Sequence, residues 1–96
     1  MRSEHGSALR AWGEVAAAQG QAGEAEDHLR QSAAILEEAG EAYETARARL
    51  ALAAVLIQQG RQAEAFDLLE TCLPVFERLG AELDAQTARQ LLTSRK

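Results

Sequence analysis

Aromatic residues and cysteine are scarce in this sequence, and it contains a single proline. Aromatic side chains make up 4% of the residues, so a hydrophobic core must be built mainly from leucine, alanine, valine and isoleucine. The one cysteine, Cys72, has no partner for an internal disulfide, which excludes a disulfide-stabilised scaffold. Because alanine, leucine, glutamate, glutamine and arginine dominate and β-branched residues are few, the composition predicts an all-α fold.

Long apolar segments and clusters of basic residues are also missing. No apolar run approaches the roughly 18 residues of a membrane-spanning helix. The residues that follow Met1 lack the apolar core of a signal peptide. The net charge is −5, and the arginines are scattered singly, whereas binding to a phosphate backbone requires clustered cations. We therefore expect a cytoplasmic domain that binds neither a membrane nor, through this segment, nucleic acid.

Four glycines stand at a fixed interval of twenty residues along the chain. Glycine tolerates the left-handed backbone conformation that ends a helix, so each of them predicts a helix C-terminus. The turns that follow are only two or three residues long, which makes consecutive helices antiparallel. The glycines are Gly20, Gly40, Gly60 and Gly80, and the predicted helices lie at about residues 4–19, 22–39, 42–59, 62–79 and 82–93.

The chain also matches itself at an offset of forty residues. This register predicts one domain over residues 1–96, with unit one at about 4–40, unit two at about 41–80 and a capping helix at about 82–93. In each second helix, apolar residues three and four apart form one stripe that faces the neighbouring helices. The stripes are Ala25, Leu29, Ser32, Leu36 and Ala39 in helix two, and Ala65, Leu69, Cys72, Phe76 and Leu79 in helix four.

Several residues recur at matching positions of the two units, and the small ones among them fit where two helices cross: Gly13 and Ala53, Ala25 and Ala65, Ser32 and Cys72. The recurring residues are Trp12-Gly13 and Leu52-Ala53 in the first helices, the glycines at the turns, Ala25 with Leu29 and Ala65 with Leu69 in the second helices, and Ser32 and Cys72. With these residues the chain resembles the tetratricopeptide repeats in their longer form, as found in the C-terminal arrays of MalT-like bacterial regulators. The resemblance implies a right-handed stack of antiparallel helical hairpins, an α-solenoid, that binds proteins. It also places Trp12 at a helix-packing position.

No catalytic motif stands out. Cys72 could be a nucleophile, but it lies on the apolar stripe where unit one has Ser32, which favours a core residue. His28 lies four residues after Glu24, yet two such ligands do not make a zinc site. There is no phosphate-binding glycine loop and no Ser–His–Asp set. We expect no enzymatic activity, no metal and no cofactor. Pro74 falls inside helix four and predicts either a modest kink or a hinge.

The resemblance also implies a binding surface, because the first helix of each unit lines the concave face of such arrays. Its apolar strip of Leu50, Ala54 and Ile57 suits an amphipathic helix or a hydrophobic peptide. The alternative is that the chain's own fifth helix covers the strip through Leu83, Leu91 and Leu92. The candidate partner-binding residues are Arg10, Glu14, Ala17, Arg47, Leu50, Ala54, Ile57 and Gln58.

Two and a half repeats leave the outer sides of the first and last helices without a neighbour. Two explanations fit. The chain is the C-terminal part of a longer array in a bacterial multidomain signalling or transcriptional regulator, or it forms a homo-oligomer that covers the open sides. The charged end Thr93–Lys96 resembles a natural terminus, whereas the start at Met1 indicates either a cut or an unusually small gene product.

Overall fold

The structure, a computed structural model that describes residues 2–93, consists of five helices joined by short turns. The predicted all-α fold is confirmed, and every helix lies within two residues of its expected position. The helices are α1 (Arg2–Ala18), α2 (Ala22–Glu38), α3 (Ala42–Gln58), α4 (Gln62–Leu79) and α5 (Glu82–Thr93).

Each of the first four helices ends one or two residues before one of the regularly spaced glycines. All four glycines have a left-handed backbone, with φ between 73° and 79°. The amide of the following residue then donates to a carbonyl five residues back, as from Gln21 to Ala16 and from Ala81 to Phe76, both at 2.9 Å. A Cβ on any of the four would meet no atom within 4 Å, so glycine is required by conformation and not by space.

The helices pack as a row of antiparallel neighbours two layers deep. Helix α1 packs on α2, α2 on α3, α3 on α4 and α4 on α5, with only slight contact between α1 and α3 or between α3 and α5. The described part measures 40 × 32 × 19 Å, and its smallest dimension is about two helix diameters. The largest fully buried side chains come from α2, α3 and α4: Leu29, Leu36, Leu56, Leu69 and Phe76.

Small residues lie at the helix crossings, as predicted. Ala25 and Ser32 are fully buried in α2, and a Cβ on Gly13 would lie 2.6 Å from Cγ of Leu29. Gly6 is a further crossing residue that was not predicted from the sequence. A Cβ on Gly6 would lie 2.7 Å from Cγ of Leu36, and its carbonyl accepts a hydrogen bond from Ser32 Oγ at 2.7 Å. Gly6, Gly13 and the buried hydroxyl of Ser32 thus allow the backbones of α1 and α2 to pack closely together.

Exposed ion pairs join unit one to unit two along one edge. Arg30 of α2 reaches Glu64 of α4, and Arg61 at the start of α4 bonds Glu26 of α2 at 2.8 Å. Hydrogen bonds from Arg30 and then Arg61 hold the pKa values of both carboxyl groups, Glu26 and Glu64, below their usual range. The four side chains form one network that bridges the two hairpins.

A second ion pair between units recurs with the repeat. Arg49 of α3 lies 3.2 Å from Glu37 of α2, and Arg89 of α5 lies 3.0 Å from Glu77 of α4. Both residues of the second pair follow those of the first by forty positions. Helix α5 therefore sits on α4 in the same register in which α3 sits on α2.

Three expectations about exposure are wrong. Trp12 is 62% exposed rather than packed between helices, and Leu79 is 52% exposed although it lies on the predicted stripe of α4. Ala39 is likewise exposed, because it follows the last residue of α2 as its C-cap. Pro74 lies on an exposed side of α4, which runs unbroken from Gln62 to Leu79, so the missing hydrogen bond does not divide the helix.

Candidate functional site

The surface formed by α1 and α3 contains a shallow apolar pocket. Its volume is about 160 Å³, and apolar atoms make most of its wall. Four of the eight candidate binding residues meet here: Glu14 and Ala17 from α1, and Ala54 and Gln58 from α3. The first and last of these are exposed, while the two alanines are half-buried. We call this surface the α1–α3 groove.

Three further residues of the groove were not predicted from the sequence. Leu29, Ala51 and Val55 line the same pocket. Ala51 lies one turn before Ala54 and Val55, so helical spacing from the named residues could have identified it. Leu29 belongs to α2 and reaches the pocket only because α1 and α2 approach so closely at Gly13.

Charged side chains border the groove at the end near the start of α3. Arg10 donates to Glu14 at 3.1 Å and lies 3.6 Å from Glu44, too far for a hydrogen bond. Only 14% of the Arg10 side chain is exposed, so this arginine is held between two helices. Beside it, Glu4, Ser7, Glu41 and Glu44 line a second shallow depression. Among the side chains that the structure describes at this border, acidic groups outnumber basic ones.

Arg47 lies apart from the groove, at the junction of α3 with the start of α5. Its guanidinium carbon is 5.8 Å from the centre of the Tyr43 ring, a cation–π distance. The hydroxyl of Tyr43 donates to Asp84 Oδ2 at 2.6 Å, and this bond together with burial raises the pKa of the tyrosine. The Tyr43 ring also meets the Phe76 ring edge-on, with centres 6.1 Å apart. Tyr43 therefore links α3 to α4 and to the start of α5, and Arg47 lies against the Tyr43 ring.

The remaining candidates, Leu50 and Ile57, are half-buried and pack against the main core. Of the residues expected to cover the strip from α5, Leu91 and Leu92 do pack against this core. Leu83 does not, because 81% of it is exposed. The pocket around Ala54 is open.

Cys72 and His28, considered above as a possible nucleophile and a possible metal ligand, lie in surroundings typical of structural residues. Cys72 is fully buried, and burial raises the pKa of its thiol to about 11. Its side chain occupies the same place as Ser32 in unit one, which agrees with a core residue. The His28 ring, half-buried, meets Trp12 edge-on with centres 6.0 Å apart. Within residues 2–93 no group of three or more metal-binding side chains comes together.

Comparison with known proteins agrees with the helical hairpins. The family profile described as tetratricopeptide repeat matches residues 4–78, which covers both units. The chain belongs to the tetratricopeptide-repeat family. Neither the curated proteins nor the solved structures contain a significant match to it. Tetratricopeptide repeats generally mediate interactions between proteins. Among the described helices, none is long and apolar enough to cross a membrane.

Proposed function

We propose that this tetratricopeptide-repeat chain binds an amphipathic helical peptide in the α1–α3 groove, as the C-terminal part of a bacterial multidomain signalling or transcriptional regulator. The open apolar pocket between the first helices of the two units is the observation that carries the proposal. The side chains of Ala17 and Ala54 are small and leave the pocket open, so an apolar side chain of a partner can enter between α1 and α3.

The charges around the pocket indicate that the partner also carries basic residues. Glu14 lies on the rim, and Glu44 lies close by at the acidic border. Arg10 neutralises part of this charge, since one arginine lies near both Glu14 and Glu44. A helix with apolar residues on one face and lysine or arginine beside them would complement both features.

Peptide selection on the full chain tests the proposal. Random 15-residue peptides displayed on phage are selected on the immobilised protein, and the best binders are synthesised and titrated. We expect apolar residues at a spacing of three and four, flanked by basic residues. Ala54→Glu should weaken binding at least about tenfold, equivalent to about 1.4 kcal/mol, because it places a charge inside the apolar pocket.

A matched control separates this effect from general acidity. Gln31→Glu adds the same charge on the exposed side of α2, away from the groove, and should bind like the unmodified chain. Far-ultraviolet circular dichroism of both variants checks that the fold is intact. Equal affinity of Ala54→Glu and the unmodified chain, with both folded, would remove the groove as the binding surface.

Self-association is the second candidate function, because large apolar side chains are exposed outside the groove. Trp12, Val15 and Leu83 are 62%, 55% and 81% exposed. Light scattering over a concentration series tests it directly: a monomer at high concentration eliminates a self-assembling module, whereas a defined dimer supports it.

A further inference from the structure

The outer side of α1 is a helix-packing face without a helix on it. Counting forty residues forward, Ala8, Trp12 and Val15 of α1 correspond to Ala48, Leu52 and Val55 of α3. In α3 these positions are 0%, 2% and 2% exposed, because α2 lies against them. In α1, Trp12 is 62% and Val15 55% exposed, and Ala8 is exposed too. We call Ala8, Trp12 and Val15 the outer face of α1.

The other end of the stack differs in chemistry. Gln86 and Thr93 of α5 correspond by register to Ala46 and Ala53 of α3, which are 2% and 0% exposed. Both α5 residues are polar and exposed. Leu83, three residues before Gln86, is the apolar exception on this side and is 81% exposed. The open side of α5 thus carries mainly polar side chains, while the outer face of α1 keeps the apolar side chains of an interior position. The end of the stack at α5 is therefore better adapted to solvent than the end at α1.

From this asymmetry we infer that the outer face of α1 receives the second helix of another hairpin of the same repeat type, stacked ahead of unit one as unit one is stacked on α3. The inference rests on the proposed function in one respect, namely that the chain is the C-terminal part of a longer array.

The chain's own unit boundary defines the chemistry of that helix. Where α2 lies on unit two, Ala33 and Leu36 cover Ala48, and Arg30 pairs with Glu64. The counterpart of Glu64 in unit one is Glu24, which is exposed. The incoming helix therefore presents small and branched apolar residues, with an arginine at the position of Arg30 to meet this carboxylate.

A second copy of this chain does not offer such a helix. Its α2 face is covered by α3, and its α4 face is covered by α5. In addition, α4 carries Glu70 where α2 carries Arg30, so stacking α4 on α1 would set this carboxylate against Glu24. Like charges at this edge oppose a head-to-tail polymer of the chain.

A tandem protein tests the inference on the complete chain. An added copy of residues 1–40, with Trp12→Phe in that copy alone, is fused directly ahead of Met1. With the forty-residue spacing, Met1 takes the place of Glu41. Arg2, the first residue of α1, then takes the place of Ala42, the first residue of α3. The native linker is therefore reproduced, and the remaining tryptophan, Trp12 of the complete chain, reports on the outer face.

We expect the tryptophan emission to shift to shorter wavelength and acrylamide quenching to fall severalfold, because the Leu52 position is almost fully covered. Val15→Glu in the complete chain should reverse both changes, although this residue is exposed without the added hairpin. Ala18→Glu is the matched control, since its counterpart Gln58 stays exposed within the stack. Arg30→Glu in the added copy should raise the quenching, and adding Glu24→Arg to the complete chain should lower it again.

Three outcomes would overturn the inference. An added hairpin that forms helix while Trp12 stays fully quenchable shows that the face does not accept it. An added hairpin that stays unfolded shows the same, because the face should supply the surface on which it folds. Concentration-dependent burial of Trp12 in the unmodified 96-residue chain would instead identify a second copy as the occupant. Peptide binding in the groove is measured on that chain alone, so its failure is separate from each of these.

Discussion

The close approach of α1 and α2 at Gly13 leads to a prediction that runs against helix propensity. Alanine inside a helix is more favourable than glycine by about 1 kcal/mol. At Gly13, however, the added methyl carbon would lie 2.6 Å from Cγ and 2.8 Å from Cδ2 of Leu29, and 3.3 Å from the carbonyl oxygen of Ala25. Leu29 is fully buried and lines the α1–α3 pocket, so relieving this clash requires a shift of its side chain within the packed core or toward that pocket.

The size of the effect follows from the two opposing contributions. Overpacking a well-packed site costs about 1–3 kcal/mol, which exceeds the propensity gain of about 1 kcal/mol. We expect Gly13→Ala to lower the free energy of unfolding by about 1 kcal/mol and therefore the melting temperature by about 4–8 °C. Thermal unfolding followed by circular dichroism, together with urea titration, measures both quantities.

Two variants serve as controls for the same substitution. Gly23→Ala lies in the first turn of α2, where a Cβ would meet nothing within 4 Å, so it should be neutral or stabilising by up to about 1 kcal/mol. Ala53→Gly reverses the change at the matching position of unit two and should destabilise, because it loses helix propensity and leaves a void. Alanine is thus unfavourable at one unit's crossing and favourable at the other's.

A double-mutant cycle then assigns the cost to Leu29. In the unmodified chain, Leu29→Ala should cost about 2–5 kcal/mol. In the Gly13→Ala background the same change should cost less by at least about 0.5 kcal/mol, because the clash disappears and the new methyl fills part of the cavity. If Gly13→Ala is as stable as Gly23→Ala, or if the two changes at Gly13 and Leu29 are additive, the steric explanation is refuted.

Three further predictions concern the turns, the thiol and the ion-pair network. Gly60→Ala should destabilise the fold by about 1–2 kcal/mol, because φ at this residue is 78°, although there is room for a Cβ. A cost in urea unfolding no larger than that of Gly23→Ala would contradict this. With a pKa of about 11, Cys72 is a thiolate in about one molecule in ten thousand at pH 7, so it should react with a thiol reagent only on unfolding. Rapid labelling of the folded chain would be inconsistent with the burial of Cys72. The lowered pKa values of Glu26 and Glu64 stabilise the fold fully above their ordinary value of 4.5, and that stabilisation is lost as pH falls through the lower folded values. Replacing Arg30 with Gln should make unfolding less pH-dependent in this window, and an unchanged pH profile would show that the network contributes nothing.

The repeat and its helices could be predicted from sequence because their determinants are local. Each of the first four helices is followed within two residues by a glycine whose left-handed backbone forms the turn. The small residues at the crossings also repeat at a fixed spacing, so Ala25 and Ser32 could be assigned to the interior without coordinates. Gly6 was overlooked because its counterpart, Ala46, is an ordinary helix former, and only the approach of Leu36 explains the need for glycine.

The exposure of Trp12 could not be read from the register, for a physical reason. Self-alignment assigns this residue the environment of Leu52, yet that environment is provided by a neighbouring helix and not by the residue's own sequence. The groove presents a similar difficulty. Ala17 and Ala54 were named individually, but the pocket that joins them to Leu29 depends on how closely three helices approach. Positions within a helix were predictable, whereas surfaces shared between helices were not.

Each helix of the row touches little besides its neighbours in sequence, and this has a consequence for how the molecule opens. Helix α1 is held almost entirely by α2, and α5 almost entirely by α4, whereas α3 has helices on two sides. Local opening should therefore begin at the two ends and move inward, since losing a terminal helix removes one interface and losing a central one removes two. Amide hydrogen exchange would record this as a gradient, with the slowest amides in α3 and α4 around Leu56 and Leu69.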